Sequence, residues 1–422
     1  MKILVIGGGG REHALIWKLR QNPLVRKIYC APGNAGIAEL AECVSVRVDD
    51  LEGCLSLAKK EKIDLTVVGP ELPLTLGLVD LFQREGLPIF GPNRDAAILE
   101  GSKAWTKQFL REEEIPTAAF ETFDNFDRAM AYLKPRSYPQ VIKADGLAAG
   151  KGVVIAQNET EAREALELVL KKKIFGEAGR RIVIEEFLEG VEASFMALVD
   201  GSSLLPLDSA QDHKRAGEGD TGPNTGGMGA YSPAPVVTES VQKMALERIL
   251  QPTLKGLQKR GLEFRGILYA GLMIGAEGPK LLEYNVRLGD PETQPLMMRL
   301  ESNLVEAMQA TLSGKLKSLT LRWKAQPSVT IVMAAHGYPG EVRTGDVIEG
   351  LERAATLPET MIFHSGTRRE GDKIVTAGGR VLGVTSLGKD LRQARERAYD
   401  GCEKIYFKGM HYRRDIGLRA GS

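Results

Sequence analysis

The stretch from Leu282 to Arg287 alternates apolar and polar side chains in a pattern that could do chemistry. A β-strand has a period of two, so Glu283, Asn285 and Arg287 would lie on one face and Leu282 on the other, with Tyr284 and Val286. Carboxylate and amide oxygens are ligands that magnesium prefers, and a guanidinium suits a phosphate or a carboxylate. Most such strands simply have one solvated face. The following turn, 289–292, adds two carboxylates and favours the ligand interpretation.

A glycine-rich segment at 146–152 could bind phosphate groups. It is one residue too short for a P-loop, and Lys151 is followed by Gly152 rather than by a hydroxyl residue. Apolar runs that read as strands flank it, whereas a P-loop would open a helix. We therefore expect a mobile flap that covers phosphates with its N–H groups, with Lys143 on the preceding strand supplying positive charge. An exposed lysine on an ordinary hairpin is the alternative.

A second glycine run, Gly7–Gly10, follows the first apolar stretch and precedes Arg11. The dinucleotide fingerprint fails here, because Glu12 stands at the third glycine position and the second strand ends at 30–33 without an acidic residue. What is left is a helix N-terminus whose free N–H groups could bind a phosphate or a carboxylate. A purely structural tight turn is the alternative.

The segment Gln211–Arg215 packs donors and acceptors together without an apolar residue. His213 could activate a nucleophile, but no serine or cysteine elbow accompanies it, so a hydrolase triad is not supported. Substrate recognition is the better interpretation, against a solvated charge run. Four further histidines are scattered without metal-ligand spacing, so we expect them to be packed or exposed and propose no zinc: His13, His336, His364 and His411.

The elements that must position these residues follow from the apolar pattern. A length of 422 residues corresponds to roughly two to three domains. In the first hundred residues short buried runs alternate with amphipathic helices, which predicts a parallel sheet with crossover helices. The predicted strands are 3–6, 27–31, 44–48, 65–68 and 89–90. Because ligands lie beyond the carboxyl ends of such strands, the loops at 7–10, 32–36 and 69–71 should line one crevice.

The rest of the chain predicts two further modules. The first opens with a charged helix from 101 to 114 and contains a long polar loop, 209–229, that has no apolar periodicity. It also contains predicted strands at 139–144, 152–156 and 181–188, predicted helices at 159–172 and 238–260, and a hairpin that pairs 266–274 with 280–286. The second, after Leu316, is a compact α+β unit with predicted strands at 328–335, 361–364, 373–376 and 381–386 and a helix at 389–405.

Composition excludes several classes of protein. A net charge of +1 gives no general attraction to nucleic acid or to acidic membranes, and no apolar run approaches the roughly 18 residues of a spanning helix. The four cysteines form no C-x-x-C pair, which argues against a disulfide framework and a thiolate zinc site. The first residues do not form a secretory signal. We expect a cytoplasmic protein.

Several segments together resemble the phosphoribosylamine–glycine ligase family, also called glycinamide ribonucleotide synthetases, of the ATP-grasp superfamily. The resemblance runs almost end to end. The segments that carry it are GGGGREHAL at 7–15, PGNAG at 32–36, GPEL at 69–72, VIKADGLAAGKGV at 141–153, QDHKRAGEGDTGPNTGGMGAYSP at 211–233, LEYNVRLGDPE at 282–292 and GGRVLG at 378–383. The long 211–233 run and the strand ending in NVRLGDPE are the most specific. One local departure is His336, where a small residue would be typical.

The resemblance implies a multidomain α/β and α+β fold. Its parts would be an N-terminal Rossmann-like sheet at 1–101, a central ATP-grasp domain at 102–320 with a small mobile lid at about 121–189, and a C-terminal α+β domain at 321–422. The implied reaction joins glycine to 5-phosphoribosylamine with ATP, through glycyl phosphate, in the second step of de novo purine synthesis. ATP and Mg²⁺ or Mn²⁺ would take part, with small-molecule substrates, no nucleic acid, no membrane and a monomeric chain.

The resemblance also implies roles for individual residues. The implied catalytic residues are Arg287, Asp290 and Lys143, and the implied metal ligands are Glu283 and Asn285. ATP would contact Lys103, Lys143, Gly150, Lys151, Gly152, Glu185, Glu186, Leu188 and Glu192, with the strand at 185–188 meeting adenine through its backbone. The other substrates would contact Gly8, Gly9, Gly10, Arg11, Asn34, Gly36, Glu71, Asp212, His213, Lys214, Arg215 and Arg287. Separate roles for Arg287 and Asp290 do not follow, nor does the identity of a general base.

Three alternatives stay open at this point. The first is another ATP-grasp ligase with a different acceptor, such as a carboxylase acting on a purine precursor or on biotin. The second is an NAD-dependent dehydrogenase, suggested by the first strand and its glycine loop. The third is a nucleotide sensor that binds ATP without turnover.

Overall fold

The N-terminal part is a parallel sheet covered by helices, in a computed structural model that describes residues 1–147 and 152–418. Its strand order is β3-β2-β1-β4-β5, and every pair is parallel. The central strand β1 is apolar on both faces, because helices cover both sides of the sheet. The elements are β1 Lys2–Gly7, α1 Gly10–Leu19, β2 Lys27–Pro32, β3 Glu42–Cys43, α2 Leu51–Glu61, β4 Leu65–Val68, α3 Glu71–Leu76, α4 Leu78–Arg84 and β5 Ile89–Phe90.

The predicted strand at 44–48 is wrong. Pairing with β2 ends after Val44 N–H donates to Cys30 O, because Val46 N–H then bonds back to Val44 O in a tight turn. The alternating valines of this segment still pack, partly buried, against the core. Their pattern therefore reflected burial at a sheet edge and not strand pairing.

A small antiparallel sheet follows, with the order β6-β9-β7-β8 and its own hydrophobic core. The elements from here are α5 Ile98–Gly101, α6 Lys103–Glu112, β6 Phe120–Phe123, α7 Phe126–Leu133, β7 Gln140–Ala144, β8 Val153–Ala156, α8 Glu159–Leu166, which a π-helical turn extends over Glu167–Lys171, and β9 Ile182–Glu186. The hairpin of β7 and β8 that flanks the glycine-rich segment confirms the predicted pair of strands. Strand β6 was not predicted.

A larger sheet with the order β11-β10-β16-β17 packs beside the small one. The predicted hairpin is present as β16 and β17, and the long helical stretch before it is also present. The elements are β10 Val191–Asp200, β11 Leu204–Pro206, β12 Gln211–Asp212, β13 Arg215–Gly217, β14 Thr221–Asn224, β15 Gly229–Ser232, α9 Glu239–Ala245, a π-helical turn Leu246–Leu250, α10 Gln251–Lys259, β16 Arg265–Gly275, β17 Gly278–Asn285, α11 Thr293–Arg299 and α12 Leu304–Leu312.

The C-terminal part is a sheet with the order β12-β15-β18-β22-β19. Its remaining elements are β18 Ser328–Ala334, α13 Leu351–Ala355, β19 Thr360–His364, β20 Thr367–Glu370, β21 Lys373–Thr376, β22 Arg380–Leu387 and α14 Leu391–Lys404. The polar segment 209–229 contains β12, β13, β14 and the first residue of β15, so its prediction as a loop is wrong. These short strands have few apolar residues: β12 pairs with β15, β15 pairs with β18, and β13 pairs with β14.

No helix in the described part of the chain is long and apolar enough to cross a membrane.

Candidate active site

One large cleft, of about 1250 Å³, lies between the small sheet, the large sheet and the two outer modules. It brings together most of the residues singled out from the sequence. Those that line it are Arg11, Glu71, Lys103, Lys143, Gly152, Glu185, Glu186, Leu188, Glu192, Asp212, His213, Lys214, Arg215, Glu283, Asn285, Arg287 and Asp290. Gly8, Gly9, Gly10, Asn34 and Gly36 are not among the residues that line it. Gly150 and Lys151, and with them most of the predicted flap, fall outside the described residues.

At one end of the cleft the side chain of Glu185 lies between two lysines. Its Oε1 is 2.9 Å from Lys143 Nζ and its Oε2 is 2.8 Å from Lys107 Nζ, and all three side chains are buried. Burial lowers the pKa of Lys107 to about 8, although the Glu185 carboxylate opposes that shift. Lys107 was not among the residues predicted from the sequence. It lies one helical turn after Lys103, and this spacing was the available signal.

The floor below the glycine-rich segment is held by the start of α6. Ser102 Oγ donates to Asp145 Oδ1 at 2.8 Å, and the backbone N–H of Lys103 donates to Asp145 O at 2.9 Å. Lys103 Nζ reaches Gly146 O at 3.2 Å. The base of the segment is therefore tied to the lysine that the sequence assigned to phosphate binding.

Strand β9 ends at Glu186, so the prediction of a strand through Leu188 is wrong. Glu186 forms a last pair of contacts with Ala119, one through its backbone N–H and one through Oε1, after which the chain turns away from the sheet. Within the described residues, the N–H of Leu188 has no hydrogen-bond partner. An extended segment with a free donor at a cleft wall suits the edge of a planar heterocycle.

In the middle of the cleft Lys214 lies among carboxylates. Its Nζ is 2.9 Å from Glu192 Oε2 and 4.0 Å from Glu283 Oε1. Burial alone would raise the pKa of Glu283, but Lys214 and Lys143 outweigh burial and lower it. Burial raises the pKa of Asp212 to about 7, and neighbouring carboxylates including Glu283 add to that shift. The cleft thus combines an ionised carboxylate with the positive charge of Lys214.

Strand β17 presents Glu283 and Asn285 to the cleft, as the alternation predicts. The assignment of Leu282 to the opposite face is wrong. A register shift of β17 against β16 at Gly271/Leu272 interrupts the alternation, so that Leu281 is fully buried and Leu282 lines the cleft.

Arg287, just beyond the end of β17, is held by two carboxylates. Its Nε donates to Glu71 Oε2 at 3.1 Å and its Nη2 to Glu100 Oε1 at 2.9 Å. The same Nη2 donates to Asn285 Oδ1 at 3.1 Å. Burial raises the pKa of Glu100 to about 7 against the effect of Arg287. Glu100 was missed because nothing in its local sequence distinguishes it from a helix-surface glutamate.

The start of α1 is capped from within the protein. Glu12 Oε2 accepts the N–H of Gly9 at 2.6 Å, and Glu12 Oε1 accepts Arg11 Nε at 2.6 Å. Arg11 Nη1 donates to Leu288 O at 3.1 Å. A Cβ on Gly8 would lie 2.5 Å from Gly33 O, so glycine allows the two loops to touch. Part of the anion-binding capacity expected at this helix end is therefore already used.

Asn34 has no free hydrogen-bonding group on its side chain. Its Nδ2 donates to Gly8 O and His364 O, at 2.9 and 2.8 Å, and its Oδ1 accepts the N–H groups of Gly36 and Ile37. Asn34 thus ties the loop after β2 to the glycine loop and to β19. A Cβ on Gly36 would lie within 2.6 Å of the rings of His13 and His364, which explains the glycine there.

Asp290 lies where three parts of the chain meet. Arg380 Nη2 donates to its Oδ2 at 3.0 Å, and Gln294 Nε2 donates to its Oδ1 at 2.8 Å. Burial would raise the pKa of Asp290, but Arg380 outweighs it and the pKa is lowered. A Cβ on Gly9 would lie 3.3 Å from Asp290 Oδ2. Arg380 was not singled out from the sequence, although it lies in the GGRVLG segment.

The remaining members of the 211–215 segment face inward. The ring of His213 packs against Tyr231, and burial lowers the pKa of His213 to about 4. Arg215 Nη1 donates to Gly222 O at 2.8 Å within the β13–β14 hairpin. His13 and His364 are also buried, as expected of packed residues, whereas His336 is exposed.

The donor set at Glu283 and Asn285 fits a hard divalent cation. Both offer oxygen, and the lowered pKa of Glu283 keeps it ionised. The described residues contain no group of three or more His, Cys, Asp or Glu side chains that could enclose a metal ion by themselves. Magnesium is commonly held by one or two protein oxygens together with substrate phosphates, which matches such an open pair.

Comparison with known proteins places the whole chain. Three domain profiles match: the N domain of phosphoribosylglycinamide synthetase over 1–100, its ATP-grasp (A) domain over 101–293 and its C domain over 328–419. Phosphoribosylamine–glycine ligase of Vibrio cholerae is 51% identical over 423 residues, covering all of this chain and 98% of that protein. The Escherichia coli O6:H1 ligase is 53% identical over 424 residues, covering all of this chain and 99% of that protein.

Two solved structures extend the comparison. Phosphoribosylamine–glycine ligase of Thermotoga maritima superimposes with a TM-score of 0.86 at 37% identity, over 99% of this chain and all of that one. The biotin carboxylase domain of the Hydrogenobacter thermophilus 2-oxoglutarate carboxylase, in complex with MgADP, has a TM-score of 0.74 at 16% identity, over 97% of this chain and 91% of that one. The second likeness shows a shared fold alone.

Proposed function

The chain belongs to the phosphoribosylglycinamide synthetase family, and we propose on that basis that it joins glycine to 5-phosphoribosylamine. ATP is converted to ADP and phosphate, and the product is glycinamide ribonucleotide. The chain is thus an ATP-grasp ligase that forms a C–N bond in the second step of purine synthesis. The relatives at 51–53% identity span essentially all of it, so the whole reaction applies to this chain.

One juxtaposition supports this proposal most directly. Lys143 Nζ donates to Leu282 O at 3.2 Å, one residue before Glu283, although the two residues come from different sheets. Phosphoryl transfer depends on charge neutralisation and alignment more than on covalent help from the protein. A lysine and, across the same cleft, an ionised carboxylate that would hold a divalent cation supply both.

We place ATP between the small and the large sheet. Lys103 and Lys143 would contact its phosphates, together with the segment that contains Gly150, Lys151 and Gly152. The open N–H of Leu188 would meet adenine, with Glu185 and Glu186 beside it, and Glu192 would accept the ribose hydroxyls. The interpretation accounts for the free donor at Leu188 and for the lysines at the cleft floor.

Glu283 and Asn285 would hold a divalent cation, Mg²⁺ or Mn²⁺, which neutralises phosphate charge when bound. Lys214 Nζ lies 4.0 Å from Glu283 Oε1 and 2.9 Å from Glu192 Oε2, so Lys214 would keep Glu192 as its partner when the Glu283 carboxylate turns to a cation.

The reaction proceeds in two steps. An oxygen of the glycine carboxylate attacks the γ-phosphorus of ATP while the bond to ADP breaks, which forms glycyl phosphate. The amine nitrogen of phosphoribosylamine then attacks the acyl carbon, the C–O bond to phosphate breaks and the nitrogen loses a proton. Arg287, held by Glu71 and Glu100, is oriented toward the transferred phosphate or the glycine carboxylate, and Asp290 lies beside it in the same turn.

We place phosphoribosylamine between the α1 start, the loop after β2, Glu71 and the 212–215 segment. The hydrogen bonds of Asn34 and Glu12 hold the loops, and in this proposal the backbone at Gly8–Gly10 and Gly36 would meet the substrate beside Arg11, which lines the cleft. Asp212, His213, Lys214 and Arg215 lie opposite. Because an acyl phosphate hydrolyses readily, the glycine-rich segment should close before the intermediate forms.

Steady-state assays test this function against its rivals. ADP release should require glycine and phosphoribosylamine together, with Mg²⁺ present. Turnover with bicarbonate in their place would instead identify a carboxylase. Micromolar binding of NADH would favour a dehydrogenase, and ATP binding without any turnover would favour a sensor.

We also propose that the chain divides at about residues 101 and 320, acts as a monomer in the cytoplasm and binds no nucleic acid. The separate core of the small sheet supports a lid at about 121–189, and the net charge of +1 supports the absence of a polyanionic partner. Light scattering at micromolar concentration and limited proteolysis would test the assembly and the boundaries.

A further inference from the structure

Three buried charged side chains meet where the small sheet joins the large one. They are Lys107 on α6, Lys143 on β7 and Glu185 on β9, and their side chains are 3%, 8% and 2% exposed. Each oxygen of Glu185 pairs with one lysine, at 2.8 and 2.9 Å. A buried carboxylate shared in this way restricts where both ammonium groups can lie, because moving either one leaves charge without a partner.

Each lysine also reaches the strand that carries Glu283. Lys143 Nζ donates to Leu282 O at 3.2 Å. Lys107 Nζ donates to Thr117 Oγ1 at 2.7 Å, and Thr117 Oγ1 donates to Leu281 O at 2.6 Å. Two parallel connections therefore run from the Glu185 carboxylate to adjacent residues of β17.

The two lysines differ in what else they can do. Both lysines line the cleft, and Lys143 lies beside the proposed phosphate site. Among the described residues, one carboxylate and one carbonyl hold Lys143, whereas the ammonium group of Lys107 is engaged by Glu185 at 2.8 Å and by Thr117 at 2.7 Å. These contacts allow Lys107 to hold the side chains of Glu185 and Thr117 in place.

Resting on the proposed function, we propose that Lys107 is a positioning residue for phosphoryl transfer. Through Glu185, Lys107 fixes the position of the Lys143 ammonium group, and through Thr117 it fixes the position of β17. Lys143 and Glu283 are thereby held at a defined separation across the cleft. Alignment of this kind is worth large rate factors, since a misplacement of about 1 Å can cost about 100-fold. The role is distinct from that of Lys103 and Lys143, which would contact ATP.

A double-mutant cycle distinguishes positioning from general structural support. Lys107→Met keeps the length of the side chain and removes its charge, and we expect kcat to fall at least tenfold while KM for glycine changes less than twofold. In a Lys143→Met background the same change should cost less than threefold, because the separation between Lys143 and Glu283, which both connections from Lys107 set, no longer exists. A full tenfold loss in that background, or a wild-type rate for Lys107→Met alone, would overturn the proposal.

A second readout does not use catalysis. Calorimetric titration of a non-hydrolysable ATP analogue with Mg²⁺ should show the same non-additivity between Lys107→Met and Lys143→Met. If the wild-type chain binds the analogue but does not ligate glycine, the proposed function fails while this cycle still tests the positioning role. Additive losses of affinity would refute that role.

Thr117→Val is a second variant that tests the same connection if Lys107→Met does not fold. It is nearly isosteric, keeps both lysines and removes the acceptor of Lys107, and we expect kcat to fall three- to tenfold with an unfolding temperature close to that of the wild type. Lys59→Met, on the exposed face of α2 where Lys59 pairs with Glu85, is the matched control and should keep the wild-type rate. A wild-type kcat for Thr117→Val would contradict the connection to β17.

Discussion

Arg380 and Asp290, ninety residues apart in the chain, form one ion pair with Arg380 Nη2 3.0 Å from Asp290 Oδ2. The same guanidinium donates through Nη1 to the backbone oxygens of Gly226 and Asp290. It therefore joins the C-terminal sheet, the 211–229 segment and the turn after β17. The C-terminal module is thus part of the site and does not only cover it.

Arg380→Gln should weaken this junction next to the glycine loop of α1. Asp290 would keep only Gln294 as a side-chain partner, and we expect kcat/KM for phosphoribosylamine to fall roughly 10- to 100-fold, equivalent to about 1.4–3 kcal/mol. KM for ATP should change less than threefold, since we place the nucleotide at the other end of the cleft. Arg392→Gln, on the exposed face of α14, is the control. Equal changes for both substrates would contradict a local effect.

Glu283→Gln should lower turnover far more than it weakens nucleotide binding. The amide retains the size of the side chain but not the charge that a divalent cation needs most when phosphate charge is redistributed in the transition state. We expect kcat to fall about 100-fold or more, which is about 3 kcal/mol of transition-state stabilisation. ATP affinity should fall less than tenfold. Unchanged turnover would remove Glu283 from the site, and exposed Glu277→Gln provides the comparison.

The rate should fall on the alkaline side near pH 8 because of Lys107. Burial lowers its pKa to about 8, with Glu185, Lys143 and Glu283 as its charged neighbours. Above that pH the ammonium group of Lys107 loses its proton and its charge, and its ion pair with Glu185 is lost. The corresponding stability change has the opposite sign: the unfolded chain keeps this proton up to about pH 10.5, so from pH 8 to 10.5 this group makes stability rise. A pH profile of kcat measures the effect, and in Lys107→Met the limb should be absent.

The protein should lose stability in acid through His13. The N–H of His364 donates to His13 Nδ1 at 2.8 Å, which requires a neutral ring, and burial lowers the pKa of His13 from 6.5 to about 3. The unfolded chain therefore binds a proton that the folded chain excludes, so stability falls as pH drops from 6.5 to about 3. At pH 5 the loss from this group is roughly 2 kcal/mol relative to pH 8.

Urea unfolding at pH 8 and pH 5 measures that loss. His13→Gln should have lower stability at pH 8 but a shallower decrease between the two pH values. His336→Gln, at an exposed position, should retain the wild-type dependence. A wild-type slope for His13→Gln would show that another group carries the acid sensitivity.

Local patterns predicted the elements that pack by themselves. The strands β1, β2, β4 and β5 and the β16–β17 hairpin were readable because buried apolar runs and a glycine turn carry their own signal. The segment 211–232 was not readable, because its strands have few apolar residues and its link to the C-terminal sheet is the pairing of β15 with β18, about one hundred residues later. The prediction of a strand at 44–48 was wrong for the reverse reason. There the alternation of apolar residues comes from burial at a sheet edge and not from strand pairing.

The sequence by itself determined which chemical groups are present and, through motifs such as LEYNVRLGDPE, which strand presents Glu283 and Asn285. Only the tertiary structure decided which charges share a site: Lys107 with Glu185, Glu100 with Arg287, and Arg380 with Asp290. A motif records residues that are neighbours along a strand or a loop. An ion pair between distant elements depends on how the sheets pack. Such a buried pair forms only where both side chains become buried at the same place, so no local spacing reveals it.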